Sequence, residues 1–147
     1  MNQQDSLNRI VTLMEEKNHY LEKFYSINER ELDNFSMGQF DNIDSFYQQR
    51  EKILEIISYI DGQIHESQTE TADLRSAPEN IKSNMKAALR IKDEYVNRII
   101  DQDLRVLACI ELAKSSLIKE LQEVKKGKKA IGGYKSPNFT QRLDEEV

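Results

Sequence analysis

With 147 residues, 32% charged and 38% hydrophobic side chains, five Gly, two Pro and no Trp, the chain has the composition of one helical bundle or coiled-coil domain. A formal net charge of −5 argues against nucleic acid as the main partner. A single cysteine, Cys109, excludes an intrachain disulfide, and no apolar run approaches the roughly 18 residues of a membrane span, so no membrane insertion is expected.

The first residues, Met1 to Ser6, lack the basic start and apolar block of a signal peptide, and the expected location is the cytoplasm. The first predicted helix runs from Ser6 to Phe35. Its seam reads Leu7, Val11, Met14, Asn18, Leu21, Tyr25, Asn28, Leu32, Phe35, alternating steps of four and three as in a left-handed bundle. Asp5 or Ser6 suits the N-cap, and Gly38 stands where a glycine ends a helix.

The second helix is predicted to begin behind Asp41 as N-cap, with Asp44 in its first turn. Ile43, Phe46, Arg50, Ile53, Ile57, Ile60 and Ile64 form its seam, widened by Phe40, Tyr47 and Leu54. The polar run His65 to Thr71 reads equally as a last turn or a loop. The short link to the first helix makes the two antiparallel neighbours.

Ser76-Ala77-Pro78-Glu79 has the form of a capping box with Pro in the first turn, opening the third helix. From Ile81 to Val124 there is neither Pro nor Gly. The seam there is Met85, Leu89, Val96, Ile99, Val106, Ile110, Ala113, Leu117, Leu121, Val124. Unbroken, such a helix is about 65 Å long, against about 26 to 30 residues for each of the first two. A break near Asp101-Gln102-Asp103 would instead split it into helices 3 and 4 and complete a four-helix bundle. Gly127 and Gly132-Gly133 are expected to end it. The predicted fold is therefore an all-α antiparallel bundle of three main helices with a long third one. Residues 1–130 form its single domain, and residues 131–147 a C-terminal tail.

Asn18, Asn28, Arg50, Lys92 and Asp103 interrupt the seams, as register-setting polar groups or as side chains reaching out from the seam edge. The pair Glu16 and His19 has the spacing used in di-iron bundles, but the only other histidine, His65, has Gly62 where the matching glutamate belongs. His19 as a phosphoryl acceptor is disfavoured because Lys23 falls one position late for that pattern. Cys109 reads as a small packing residue. No phosphate loop, metal-ligand pair or nucleophile elbow is present, so no catalytic residue, metal or cofactor is expected.

Lys119, Lys125, Lys126, Lys128, Lys129 and Lys135 cluster around the end of the third helix. They complement the negative end of the helix dipole or meet an acidic partner surface. The stronger functional feature is the apolar stripe Leu107, Ile110, Ala113, Leu117, Ile118, Leu121 and Val124. Burying its large side chains represents on the order of 10 kcal/mol gross, and leaving them wet invites aggregation. A folded-back fourth helix, a second copy of the chain or a foreign amphipathic helix would cover it. The tail carries Tyr134, Phe139 and Leu143, apolar enough to fold over the same stripe when no partner is present.

The segment Phe24-Tyr25-Ser26-Ile27-Asn28-Glu29-Arg30-Glu31-Leu32, with Gly38 to Leu54 after it, resembles the helix-and-turn region of flagellar export chaperones of the FlgN kind. The similarity extends over most of residues 6–126. It implies a non-enzymatic, cytoplasmic protein that holds the amphipathic C-terminal helices of hook-associated proteins, prevents their early assembly and delivers them to the type III export apparatus. It also implies that the cargo surface lies in the C-terminal helical region, here Ile110, Leu117, Leu121 and Val124. A structural homodimer with no cargo is the other expectation.

Overall fold

The computed structural model describes residues 3–70 and 74–130. It holds three α-helices, α1 (Gln3–Ser36), α2 (Ile43–Thr69) and α3 (Glu79–Ala130), with a short 3-10 turn at Leu74–Ser76. The fold is all-α, and the described residues include no strand. The chain falls into two units, Met1–Arg105 and Val106–Val147.

In the first unit, α1 reverses into α2 through Gly38, whose φ of +76° is the left-handed conformation a glycine adopts without steric penalty. The Gly38 N–H donates to Phe35 O and the Gln39 N–H to Asn34 O, closing the last carbonyls of α1 in a Schellman motif. Asp41 does not cap α2. The helix starts one residue later, behind Asn42, whose φ of −100° and ψ of 14° lie outside the extended region that aims a capping side chain at the first turn. The polar run after His65 is helical to Thr69.

The two other described glycines lie inside helices. Gly127 does not terminate α3, because an interior glycine costs a helix only about 1 kcal/mol relative to alanine and the helix runs on to Ala130. A Cβ at Gly62 would meet nothing within 4 Å. Gly62→Ala is therefore expected to raise stability by about 0.5–1 kcal/mol, and Gly38→Ala to lower it by about 1 kcal/mol or more. Urea midpoints of the two variants check the opposite signs.

The seam positions build the core. Leu21 and Phe24 of α1, Ile53 and Ile57 of α2 and Ile99 of α3 form one buried cluster, with Tyr20, Tyr25, Ile27, Tyr95 and Val96 against it. Leu7, Val11, Ala77 and Ile81 form a second, with Met85 beside it. Ile10, Phe24 and Ala88 are buried although they lie outside the strict seams, because a helix packed on two neighbours buries a wider stripe than a two-stranded coil. Conversely Tyr47, Leu54 and Leu89, included in the predicted stripes, are about half exposed.

Polar side chains pin the helices to one another. Asn18 Nδ2 donates to Ala88 O at 2.9 Å. Asn28 Nδ2 donates to Gln102 Oε1 at 3.0 Å, while Gln102 Nε2 donates to Glu29 Oε1 at 2.8 Å and Tyr25 O at 3.1 Å. Partners that ascend together along α1 and α3 show that these two helices run parallel. Arg50 pairs with Asp103 at 3.0 Å and lies over the rings of Phe24 and Phe46, 4.6 and 4.7 Å from their centroids.

Gln102 is 2% exposed. Gln102→Leu keeps its bulk but strips partners from Asn28 and Glu29, and is expected to lower stability by about 1–3 kcal/mol. Adding Asn28→Leu should recover part of that loss, since two apolar groups then face each other. Denaturation of the single and double variants measures the coupling.

The third helix is long and unbroken, as expected, and the alternative of a break at residues 101–103 is not realised. Asp101, Gln102 and Asp103 all lie inside α3, and the described residues include no fourth α-helix. The physical reason is that Gln102 and Asp103 find their partners on α1 and α2, while exposed Asp101 pairs with Arg105 at 3.2 Å along the same helix. None of the three needs to leave the helix to satisfy its polar atoms.

Candidate functional site: the apolar stripe of α3

Within the second unit, the described part of α3 carries the predicted stripe. At 3.6 residues per turn, Ile110, Ala113, Leu117, Leu121 and Val124 fall within a sector of about 80°, with Leu107 and Ile118 along one margin. Leu107 is 54% exposed, Leu117 49%, Ile118 38% and Val124 52%, whereas Ile110, Ala113 and Leu121 are half-buried. These side chains exceed the scattered apolar exposure usual on a surface because they are consecutive along one face.

The charged residues flank this sector unevenly. Lys114 and Lys125 lie along the Leu107–Ile118 margin and Glu120 along the other. Lys119 and Lys126 are exposed on the far side, and Lys128 is half-buried. The side chain of Lys129, and residues 131–147 with Tyr134, Phe139, Leu143 and Lys135, lie outside the described residues.

Apolar exposure is not confined to the predicted positions. Leu112 is 69% exposed, well off the stripe. In the first unit Leu104 is 61%, Ile100 54% and Tyr59 69% exposed. The sequence signal for these was present as large apolar residues off the seam, which periodicity alone treats as noise.

The residues considered for chemistry are dispersed. Glu16, His19 and His65 are exposed, and the described residues include no group of three or more His, Cys, Asp or Glu able to hold a metal ion. Cys109 is a half-buried free thiol on α3. A cavity of about 160 Å³ opens among the three helices of the first unit, walled by Met14, Ile64, Ala88 and Leu89. Among its charged lining residues Lys17 pairs with Asp61 at 2.7 Å, and Lys92 pairs with its chain neighbour Asp93 at 2.9 Å.

No helix among the described residues is long and apolar enough to cross a membrane. No family model matches this chain, and no curated protein or solved structure matches it.

Proposed function

We propose that the protein is a non-enzymatic carrier that binds an amphipathic helix of another protein along Leu107, Ile110, Ala113, Leu117, Ile118, Leu121 and Val124. One observation carries the reading: large apolar residues at three- and four-residue spacing stand about half exposed on an uninterrupted 52-residue helix. A helix-in-groove partner uses anchors at that spacing. The first unit, with its own apolar clusters and cross-helix polar pins, supplies a folded base that does not need the stripe for its core.

The FlgN-like pattern of residues 24–54 narrows the partner to the C-terminal helices of flagellar hook-associated proteins, held in the cytoplasm before type III export. The lysines near the end of α3 would then face an acidic surface of the cargo or of the export apparatus. The test is titration of the purified chain with a synthetic amphipathic C-terminal helix of a hook-associated protein, alongside light scattering. Saturable 1:1 binding supports the reading. A dimer that neither dissociates on dilution nor responds to Leu117→Asp with Leu121→Asp, and binds no peptide, overturns it in favour of a structural homodimer.

A further inference from the structure

We propose that the cavity between α2 and α3 of the first unit is a socket for one tyrosine side chain of a partner protein, carried on a helix that lies along the α2–α3 groove. This surface is separate from the α3 stripe and does not rest on the carrier reading.

α2 and α3 run antiparallel in the first unit, because Arg50 meets Asp103 while the later residues Asp61 and Ile64 share the cavity with the earlier Leu89 and Lys92. Leu54 lies four residues after Arg50 and seven before Asp61, so it stands on the α3 side of α2. Ile100 lies eight residues after Lys92 and three before Asp103, on the α2 side of α3. Leu54, Leu89 and Ile100 are nevertheless about half exposed, and the described residues include no further α-helix to cover them. In a four-helix bundle that groove is filled by another helix.

The groove deepens into the cavity of about 160 Å³, whose floor is α1 through Met14 and Asn18. Ile64, Ala88 and Leu89 give it apolar walls. A cavity of about 150 Å³ with such walls takes one benzene ring.

Asn18 selects what the ring carries. It is 8% exposed, and its Nδ2 donates to Ala88 O at 2.9 Å, a bond that fixes which way the amide points. Its Oδ1 is then a buried acceptor with no donor. A ligand that brings a donor gains a hydrogen bond that an apolar ligand of the same shape leaves unmade. The cations lining the cavity are already engaged, Lys17 with Asp61 and Lys92 with Asp93, so the unmet group calls for a neutral donor and not an anion. One aromatic ring with a hydroxyl at its tip is the tyrosine side chain. Leu54 and Ile100 lie about 10–15 Å along the groove from the cavity, so the partner helix carries a large apolar residue seven or eight positions from its tyrosine.

The full chain, isotope-labelled at its methyl groups and side-chain amides, is titrated with p-cresol, which is the tyrosine side chain in isolation, and separately with toluene and 4-methylbenzoate. The Met14 methyl and Asn18 amide signals are expected to shift with p-cresol at millimolar concentration. Toluene and 4-methylbenzoate should bind about tenfold more weakly. A helical peptide with tyrosine and leucine seven positions apart should bind at least about tenfold more tightly than p-cresol, and the same peptide with phenylalanine should lose about tenfold. Leu89→Trp, which fills the socket from within the chain, should abolish the shifts, and Asn18→Ala should bring p-cresol and toluene to equal affinity. Leu117→Asp with Leu121→Asp should leave the shifts intact.

No shift up to about 20 mM p-cresol leaves the socket to water alone and overturns the proposal. Equal affinities of p-cresol and toluene for the unaltered chain, or tighter binding of the benzoate, also overturn it. A peptide no tighter than p-cresol gives the socket to a free phenol and overturns the partner assignment. These titrations use the unaltered chain, so they decide the matter whether or not the variants fold. Every signal is read in the first unit, so failure here leaves the stripe reading standing, and failure of the stripe's own peptide titration leaves this one standing.

Discussion

Replacing Leu117 and Leu121 together by aspartate is expected to weaken partner-helix binding by at least about 10³-fold while leaving helix content and melting temperature nearly unchanged. Leu117 is 49% exposed and Leu121 half-buried, so each retains only part of its surface to bury on binding. That part represents about 1–1.5 kcal/mol per side chain. The larger share of the effect comes from the aspartates, whose carboxylates would be taken from water into an apolar contact with no designed donor, at a further few kcal/mol. The free protein keeps its stability because half-exposed surface sites away from caps and cores usually change it by less than about 0.5 kcal/mol.

The control is Leu112→Asp. Leu112 is more exposed than any stripe residue, at 69%, yet lies well off the sector. If general stickiness rather than the stripe were responsible, Leu112→Asp would weaken binding as much as the double change. Calorimetric titration with the helix peptide, paired with thermal melts of each variant, separates the two. Equal binding by the double variant would sink the carrier reading.

The largest stability effect is expected from Phe46→Ala, a loss of about 3–5 kcal/mol. Phe46 is 1% exposed, among the largest fully buried side chains. Its ring meets Phe35 edge-on at 5.1 Å, and the guanidinium of Arg50 lies over it. Truncation therefore removes buried apolar area, an aromatic pair and one of the surfaces that positions Arg50 for Asp103. Phe46→Leu keeps most of the volume and should lose less than half as much. A fall in melting temperature on the order of 10 °C for the alanine variant, with a clearly smaller fall for leucine, is the expected pattern. Equal shifts for the two would mean that the ring's electrostatic contacts, not its volume, dominate this corner.

Much of the architecture was legible because burying one side of a helix imposes a period. Leu7, Leu21, Phe35, Ile53, Ile60 and Ile99 recur at the spacing of one helical face and are buried. Gly38, placed where a glycine ends a helix, takes the left-handed conformation, because that requirement is local. Asp41 as N-cap failed for a related reason: residues 40–43 form a turn, and cap geometry depends on dihedrals that composition does not specify. Gly127 as a stop failed because a propensity penalty of about 1 kcal/mol is small beside the continuing hydrogen bonds of α3.

The composition and periodicity of this chain were sufficient to determine an all-helical protein with a third helix that carries apolar residues far along one face. Whether that helix breaks at Asp101–Asp103 was decided only in three dimensions. The partners of Gln102 and Asp103 are Tyr25, Asn28, Glu29 and Arg50, more than 50 residues away along the chain, and no local pattern reports them. Tertiary structure likewise decided which apolar seam residues are covered. Ile99 and Leu117 have the same local character in sequence, yet one is packed against α1 and α2 and the other is half exposed, because exposure is set by what the rest of the chain places against a side chain.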